Sequence, residues 1–311
     1  MDMTAVGSRL TLGEGSTPLV PARRLSQQLG LDLYLKTEGA NPTGSFKDRG
    51  MVVAVERARD AGAVAVVCAS TGNTAASAAA YAARAGLRAI VLTPAGAIAN
   101  AKRAQALAAG ARLIEIRGTF DDALRLCREL GERDGYRLVN SVNPDRVEGQ
   151  KSVVPELLEQ LGAIPDVVAL PYGGGGNVSA VATGFAEAGV TTRIIVGQAA
   201  ERATTWASAI RIGEPAHREN VEKLIAAGRV EVVTLSETEL RDAWQLIATS
   251  EGVFCEPASA AGVAALVQLG VSGGTAVCIL TGHGLKDTGA VADPAAEPVE
   301  PTLAAVLEAV G

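Results

Sequence analysis

Short apolar segments and longer helical segments alternate along most of this 311-residue sequence, and this alternation limits its fold more than any other feature. Runs such as Val64–Cys68 and Val167–Leu170 predict buried strands, whereas the small-residue segment Ala75–Arg84, followed by Gly86, predicts a helix. Strands that alternate with helices in this way form parallel sheets covered by helices on both faces. The sequence therefore predicts an α/β fold.

The same pattern predicts elements along the rest of the chain. Further strands are predicted at residues 31–36, 89–92, 113–116, 137–139, 194–196, 232–235 and 275–280. Further helices are predicted at residues 46–61, 99–109, 120–132, 149–161, 178–188, 236–251, 258–269 and 301–310. The remaining segments are predicted as a turn at 14–19, a loop at 140–148, a less regular region at 199–230 and a tether at 291–301.

Charge and composition exclude several classes of function. The formal net charge of −6 argues against nucleic acid or an anionic membrane surface as a partner. Residues 1–15 contain no apolar stretch of the kind found in signal peptides, and no apolar run approaches the length of a membrane span. The 4 cysteines form no Cys-x-x-Cys pair, and 2 histidines give little support for a metal site or a Ser/His triad. We therefore predict a reduced, cytoplasmic protein without a metal site.

The segment Asn41–Gly50, Asn-Pro-Thr-Gly-Ser-Phe-Lys-Asp-Arg-Gly, contains the candidate reactive group. Asn-Pro and Thr-Gly favour a turn, and Ser45 with Asp48 three residues later predicts a capping box at a helix start. Lys47 then lies in the first helical turn, where the helix dipole disfavours a cation. A lysine whose ammonium is destabilised is a candidate Schiff-base amine. For a lone lysine at such a position, a solvated surface side chain is the commoner outcome.

Two other loops follow predicted strands and open predicted helices, which is where ligands bind in open α/β sheets. The first loop supplies hydroxyls, an amide and helix-start N–H groups suited to a carboxylate, from Ser70, Thr71, Asn73 and Thr74. The second lets bare N–H groups converge on a phosphate, because Cβ atoms are absent from Gly173, Gly174, Gly175 and Gly176, before Asn177. The alternatives are a merely well-capped helix for the first loop and a flexible turn for the second.

Two more loops lie after predicted strands. Asn140, Ser141 and Arg146 supply side-chain donors and a guanidinium that could hold a second phosphate, although a surface ion pair is the commoner role for such an arginine. Thr281, at the end of the last strand, could hydrogen-bond a ring nitrogen or simply belong to a turn. Two anion sites, a carboxylate site and an activated lysine together suit a pyridoxal-phosphate (PLP) enzyme acting on a phosphorylated amino acid.

These motifs resemble the threonine synthase family, within the tryptophan-synthase-β-like, fold type II group of PLP enzymes. The resemblance runs from about Gly13 to Asp287 and is carried by the 41–50, 69–74, 140–146, 148–151, 256–260 and 281–284 segments. It implies two parallel-type sheets covered by helices. It also implies a smaller α/β domain, residues 51–140, inserted in a larger PLP-binding domain of residues 1–50 and 141–311, and a homodimer.

The resemblance further implies a role for each candidate residue. Lys47 would carry pyridoxal 5'-phosphate, with Phe46 near the ring, Asn73 on the phenolic oxygen and Thr281 at the ring nitrogen. The cofactor phosphate would lie on Gly173, Gly174, Gly175, Gly176 and Asn177. The substrate carboxylate would lie on Ser70, Thr71 and Thr74, and the substrate phosphate on Asn140, Ser141 and Arg146.

The implied reaction is that of a carbon–oxygen lyase in threonine biosynthesis, which converts O-phospho-L-homoserine and water to L-threonine and phosphate. Gly174 stands where this family usually has asparagine, and the segment after Ala200 is shorter than usual. All-glycine loops are more familiar in threonine and serine dehydratases of the same group, so a β-eliminating or β-replacing PLP enzyme is the alternative. A non-catalytic amino-acid or phosphate sensor is a third hypothesis, which the presence of Lys47 disfavours.

Overall fold

The structure, a computed structural model, describes residues 9–96, 100–291 and 298–310. Its strands are β1 (Leu19–Pro21), β2 (Asp32–Thr37), β3 (Ala65–Ala69), β4 (Arg88–Pro94), β5 (Arg112–Ile116), β6 (Tyr136–Leu138), β7 (Val167–Pro171), β8 (Arg193–Ala199), β9 (Val230–Leu235) and β10 (Thr275–Leu280). Its α-helices are α1 (Arg23–Leu29), α2 (Lys47–Asp60), α3 (Asn73–Ala85), α4 (Asn100–Ala108), α5 (Phe120–Gly131), α6 (Pro144–Gln150), α7 (Val153–Leu161), α8 (Gly176–Glu187), α9 (Arg218–Ala226), α10 (Glu237–Glu251), α11 (Ala261–Leu269) and α12 (Leu303–Val310).

These strands form two sheets. The larger sheet has the order β1-β2-β10-β7-β8-β9, and the smaller has the order β5-β4-β3-β6. Paired strands run parallel in both sheets, except that β1 runs antiparallel to β2. The strands of the smaller sheet follow one another in the chain, between two groups of strands that share the larger sheet. The predicted α/β fold with two parallel-type sheets is confirmed.

The central strands are buried because helices cover both faces of each sheet. All residues of β3 (Ala-Val-Val-Cys-Ala) and of β7 (Val-Val-Ala-Leu-Pro) are buried, as expected for parallel strands without a solvent-facing side. Apolar side chains of the larger sheet pack in separate clusters on its two faces, and those of the smaller sheet form a core with α2 and α3. No helix in the described ranges is long and apolar enough to cross a bilayer.

The region before α7 differs from the prediction. A loop at 140–148 followed by a single helix at 149–161 is wrong, because α6 already begins at Pro144 and α7 is a separate helix. Asn143 is the N-cap of α6, and its side chain accepts a hydrogen bond from the Asp145 N–H at 2.8 Å. Asn followed by Pro is a helix-start signal as well as a turn signal. Arg146 therefore lies on a helix.

Other differences are smaller. The sequence analysis missed β1, whose first residue lies in the predicted turn at 14–19, and it missed α1. The predicted less regular region at 199–230 contains α9. The capping box at Ser236 is confirmed, since its side chain accepts from the Glu239 N–H and the Glu239 carboxylate accepts from the Ser236 N–H. The predicted tether at 291–301 falls largely outside the described residues.

Candidate active site

The candidate residues lie at the carboxyl ends of strands from both sheets. The loop before α2 is joined to the loop after β10 by backbone hydrogen bonds. The Phe46 N–H donates to the Thr281 carbonyl at 3.0 Å, and the His283 N–H donates to the Gly44 carbonyl at 2.9 Å. The segment that carries Lys47 is thus fixed to the end of a central strand of the larger sheet.

The start of α2 differs from the predicted capping box. Phe46 is the N-cap and makes no side-chain capping bond, while the Ser45 hydroxyl is buried without a hydrogen-bond partner. The Asp48 carboxylate instead accepts from the Thr43 N–H at 2.7 Å and from the hydroxyls of Thr43 and Ser77, each at 2.6 Å. The predicted capping box is therefore wrong, because Asp48 stabilises the preceding loop and joins it to α3.

Lys47 is the first residue of α2 and is partly buried. Its Nζ lies 4.3 Å from the centroid of the Phe46 ring, and within the described residues it makes no hydrogen bond or ion pair. Burial, followed by the charge of Arg146, lowers the pKa of Lys47 to about 7, although Glu256 opposes this shift. A large fraction of the Lys47 amine is therefore neutral and nucleophilic near neutral pH.

Arg146 is fully buried, at 0% exposure, and no acid among the described residues lies within ion-pair distance of it. Its Nη1 donates to the Val139 carbonyl at 2.8 Å, whereas its Nε and Nη2 have no hydrogen-bond partner. Burial lowers the pKa of Arg146 to about 10, although the negative charge of Asp48 opposes this shift. Burial also raises the pKa of the neighbouring Cys68 thiol to about 12, so that thiol is neutral and cannot balance the charge. The guanidinium of Arg146 thus has two buried N–H donors that could bind an anion.

Two glycines bring Arg146 close to the start of α2. A Cβ on Gly50 would lie 2.3 Å from the Arg146 carbonyl oxygen, and a Cβ on Gly149 would lie 2.1 Å from the Arg49 carbonyl oxygen. Such distances exclude any side chain, so α2 and α6 can cross this closely only with glycine at both positions. The Asn41–Gly50 and Glu148–Lys151 motifs therefore form one contact.

The glycine loop after β7 presents unpaired backbone donors. Gly175 has a φ of +86°, which favours glycine, and α8 begins at Gly176. None of the backbone N–H groups of residues 174–177 donates a hydrogen bond within the described part of the chain. Arg202 donates to the Gly173 carbonyl at 2.6 Å and so fixes the loop from the outside. A helix start with converging free N–H groups is an anion site.

The loop after β3 opens α3. The Ser70 hydroxyl accepts from the N–H groups of Gly72 and Ala75, each at 3.1 Å. The backbone N–H groups of Asn73 and Thr74 donate to no described residue, and the Asn73 Oδ1 is buried without a partner. Thr71 lies partly exposed between these residues. The loop thus offers free N–H donors at the start of α3, whereas the Ser70 hydroxyl accepts hydrogen bonds from within the loop and the first turn of the helix.

Asn140 and Ser141 follow β6. The Asn140 amide exchanges two hydrogen bonds with the Ala69 backbone, at 2.9 and 2.8 Å, and so joins the ends of β6 and β3. The Ser141 carbonyl lies 2.7 Å from Nε2 of His217, which also lies against the glycine loop. At the end of β10, the Thr281 hydroxyl is 3.3 Å from that of Ser259. The structure therefore brings all four predicted loops to the two adjoining sheet ends.

The sequence analysis did not assign Glu256 and Lys102 to the site. Both side chains are 1% exposed, and their Oε1 and Nζ atoms are 2.8 Å apart. The Asn73 amide donates to the other Glu256 oxygen at 2.7 Å. Glu256 stands in a segment that carried the family resemblance, which was a signal for it. No sequence signal pointed to Lys102, because a lysine next to Arg103 in a helix looks like a surface residue.

These residues fit pyridoxal phosphate. Lys47 supplies an amine of lowered pKa, and residues 174–177 supply free N–H groups for a phosphate. Near these N–H groups, the Asn177 amide nitrogen and the Ser179 hydroxyl are buried without partners, as is the Asn73 Oδ1. Buried polar atoms left without partners are costly, and a polar ligand would satisfy them.

The chain belongs to the pyridoxal-phosphate dependent enzyme family, whose model matches residues 10–282. Pyridoxal phosphate is accordingly its cofactor, and it is a PLP-dependent lyase. Within this family it is similar to threonine synthases from several organisms. That of Halalkalibacterium halodurans is 48% identical over 89% of this chain and 84% of its own length. That of Mycobacterium tuberculosis is 45% identical over 97% of this chain and 91% of its own length.

Solved structures of PLP enzymes have the same α/β fold as this chain. A threonine deaminase from T.th. superposes with a TM-score of 0.72 at 28% identity, covering 86% of this chain and 92% of that chain. Maize serine racemase superposes with a TM-score of 0.75 at 24% identity, covering 86% and 88%. At that identity the second likeness shows the fold alone.

Proposed function

We propose that this protein converts O-phospho-L-homoserine and water to L-threonine and phosphate. The observation that carries the proposal is the buried Arg146, which has two unpaired donors and no acid within ion-pair distance in the described part of the chain. Burying a cation without a counter-ion is costly unless a ligand supplies the negative charge. The cofactor phosphate has its own site at the glycine loop, so an anion at Arg146 belongs to the substrate. The similarity to threonine synthases supports the same substrate.

The remaining residues have assignable tasks in this reaction. The N–H groups at residues 174–177, with Asn177, would hold the cofactor phosphate, and Asn73, Thr281 and Phe46 would lie beside its ring. The cofactor supplies an electron sink for the charge that develops when the substrate α-proton is removed. Ser70, Thr71 and Thr74 at the start of α3 hold the substrate carboxylate, while Asn140, Ser141 and Arg146 hold its phosphate.

Lys47 moves protons. Its amine would hold the cofactor, and in turnover the free amine would accept the α-proton and then one Cβ proton of the substrate. Removal of the Cβ proton allows the phosphate to leave from Cγ, and the amine then returns protons to Cγ and Cα. A pKa of about 7 lets the Lys47 amine both accept and donate near neutral pH. Arg146 stabilises the phosphate as it leaves from Cγ, and water then adds at Cβ. The phosphate group itself adds negative charge to the site, which Arg146 balances.

The test compares two substrates on the PLP-loaded protein. Phosphate release from O-phospho-L-homoserine is measured together with identification of threonine, and deamination of threonine is measured as keto acid. We expect equimolar phosphate and threonine, with deamination slower. Borohydride reduction and peptide mapping should place the pyridoxyl group on Lys47, and Lys47→Arg should lose turnover. Rapid deamination of threonine without turnover of the phosphorylated substrate would establish the dehydratase alternative instead.

We further propose three features of organisation. The split of strands between the sheets supports a smaller domain of residues 51–140 inserted in a larger one of residues 1–50 and 141–311. The exposed apolar residues Leu303, Leu307 and Val310 of α12 support self-association as a homodimer, which light scattering would test. Four buried, free cysteines support a reducing, cytoplasmic location.

A further inference from the structure

Lys102 is a buried lysine that reaches from one part of the fold into another. It lies on α4, which packs on α3 beside the smaller sheet, and it is 1% exposed. Its Nζ is 2.8 Å from Glu256 Oε1, 3.1 Å from the Ser208 hydroxyl and 3.9 Å from Asp287 Oδ2. These three partners all lie outside the segment that forms the smaller sheet. Lysines are almost never this buried unless they are paired, so the ion pair with Glu256 is what makes this burial of Lys102 possible.

Glu256 connects Lys102 to the candidate active site. Its second oxygen accepts from the Asn73 amide nitrogen at 2.7 Å, and a Cβ on Gly282 would lie 2.2 Å from the same oxygen. An ionised carboxylate can only accept hydrogen bonds, so it fixes which end of the Asn73 amide faces it. The carboxylate is packed so closely that its orientation sets that of Asn73.

Glu256 also acts on Lys47. Its negative charge favours the ammonium form of Lys47, whereas burial and Arg146 favour the amine. A buried carboxylate needs a counter-ion. Lys102 is the cation in ion-pair contact with it, and without Lys102 the positive charges left to attract Glu256 would be those of Lys47 and Lys286.

We propose that Lys102 is a positioning residue of the reaction: as the counter-ion of Glu256, it holds the carboxylate on Asn73 and keeps it from pairing with Lys47. The inference rests on the proposed function only in that Lys47 and Asn73 face the cofactor. The lysine acts through Glu256 and touches neither the cofactor nor the substrate. Because Lys102 lies on α4, the position of this helix affects the charge that Glu256 exerts on Lys47.

Several other charged side chains lie near Lys47 and Glu256, and every variant used in a test must leave all of them except Lys102 unchanged. Arg146 on α6 acts on Lys47, and Lys102 on α4 and Lys286 after β10 act on Glu256. Asp48 on α2 acts in turn on Arg146 and Lys286, and Asp287 lies 3.9 Å from Lys102.

The test measures the pKa of Lys47 in the full-length, cofactor-free protein. Trace labelling with acetic anhydride over a pH series, read by peptide mass spectrometry, gives the fraction of neutral Lys47 amine. Lys102→Met should raise this pKa by about one unit, because Glu256 loses its ion-pair partner and its negative charge acts more strongly on Lys47. Lys102→Arg should keep the wild-type value. Glu256→Gln should lower the pKa, and Lys102→Met combined with Glu256→Gln should bring it back to the wild-type value.

A second measurement tests the effect on Asn73. Lys102→Met should weaken PLP binding about tenfold, as expected for one displaced hydrogen bond, and Lys102→Arg should not. The control is Lys151→Met, which removes a lysine that is also paired with two acids, Glu148 and Glu187, but at the surface. We expect this control to leave the Lys47 pKa unchanged.

Two results would overturn the proposal: an unchanged Lys47 pKa in folded Lys102→Met, or a double variant that differs from wild type as much as Glu256→Gln does. If Lys102→Met fails to fold, the comparison of Glu256→Gln with the double variant still isolates the charge of Lys102. None of these measurements uses O-phospho-L-homoserine. Failure of the proposed substrate and failure of this inference are therefore separate outcomes.

Discussion

Arg49 and Arg146 are both buried arginines, on helices that cross at Gly50 and Gly149, but their surroundings are opposite. Arg49 is 4% exposed, and its guanidinium donates to Glu38 at 2.7 Å and to Glu156 at 2.7 Å. Arg146 is 0% exposed, and its guanidinium donates only to one backbone carbonyl among the described residues.

The difference separates two uses of a buried charge. Around Arg49, folding itself brings the counter-ions, since Glu38 and Glu156 are joined there by Lys36, whose Nζ donates to Glu156. This cluster holds the segment that follows Lys47 against the larger sheet. Around Arg146, folding brings no ion-pair partner among the described residues, and the charge of Asp48 offsets the burial only in part, so a bound anion would recover free energy. Removal of one partner from the Arg49 cluster therefore leaves the other charges buried and unpaired, whereas the unpaired guanidinium of Arg146 is the proposed anion site.

The largest effect is expected for Arg49→Met. It leaves Glu38, which is 1% exposed, without its cation, and such a change costs about 3–5 kcal/mol of unfolding free energy. Urea unfolding of the cofactor-free protein measures this loss. The control Arg193→Met removes an exposed pair with Glu231 and should cost less than about 1 kcal/mol. Equal losses in the two variants would contradict the stabilising role of the Arg49 cluster.

The next effect depends on pH. Burial alone would raise the pKa of Glu156, but Arg49 and Lys36 outweigh it and lower the pKa to about 2. A carboxyl with a depressed pKa stabilises the fold above its unfolded pKa, and this contribution is lost as the pH falls through the folded value. The free energy gap between wild type and Glu156→Gln, up to about 3 kcal/mol at neutral pH, should narrow as the pH falls from about 5 towards 2. A gap that does not change with pH would show that Glu156 is not ionised in the cluster.

The smallest effect on stability, but a clear one on turnover, is expected for Arg146→Met. The unfolding free energy of the cofactor-free protein should change by less than about 1.5 kcal/mol, because the loss of one hydrogen bond is offset by removal of an unpaired buried charge. Turnover of O-phospho-L-homoserine should fall about 10- to 150-fold, which corresponds to the free energy of one charged hydrogen bond. Deamination of threonine, which has no phosphate, should change far less. A loss of stability like that of Arg49→Met would make Arg146 a structural residue.

Much of the fold followed from local patterns. The bounds of β10 were predicted without error, and β3 and β7 were predicted to within one residue, because buried parallel strands are apolar along their whole length. The capping box at Ser236 also followed from local chemistry. At Ser45 the same pattern failed, since Asp48 bonds Thr43 and Ser77 instead. A buried acid takes the strongest donors nearby, and one of these lies on another helix.

The sequence by itself determined the fold class, the loops that carry the site and the place of Lys47 at a helix start, because apolar periodicity and turn chemistry are properties of neighbouring residues. Only the tertiary structure decided which charges have partners. Arg49 meets Glu156, which lies 107 positions further along the chain, Lys102 meets Glu256, and Arg146 forms no ion pair in the described ranges. Whether a charged residue has a partner depends on contacts between distant segments, and no local pattern records those contacts.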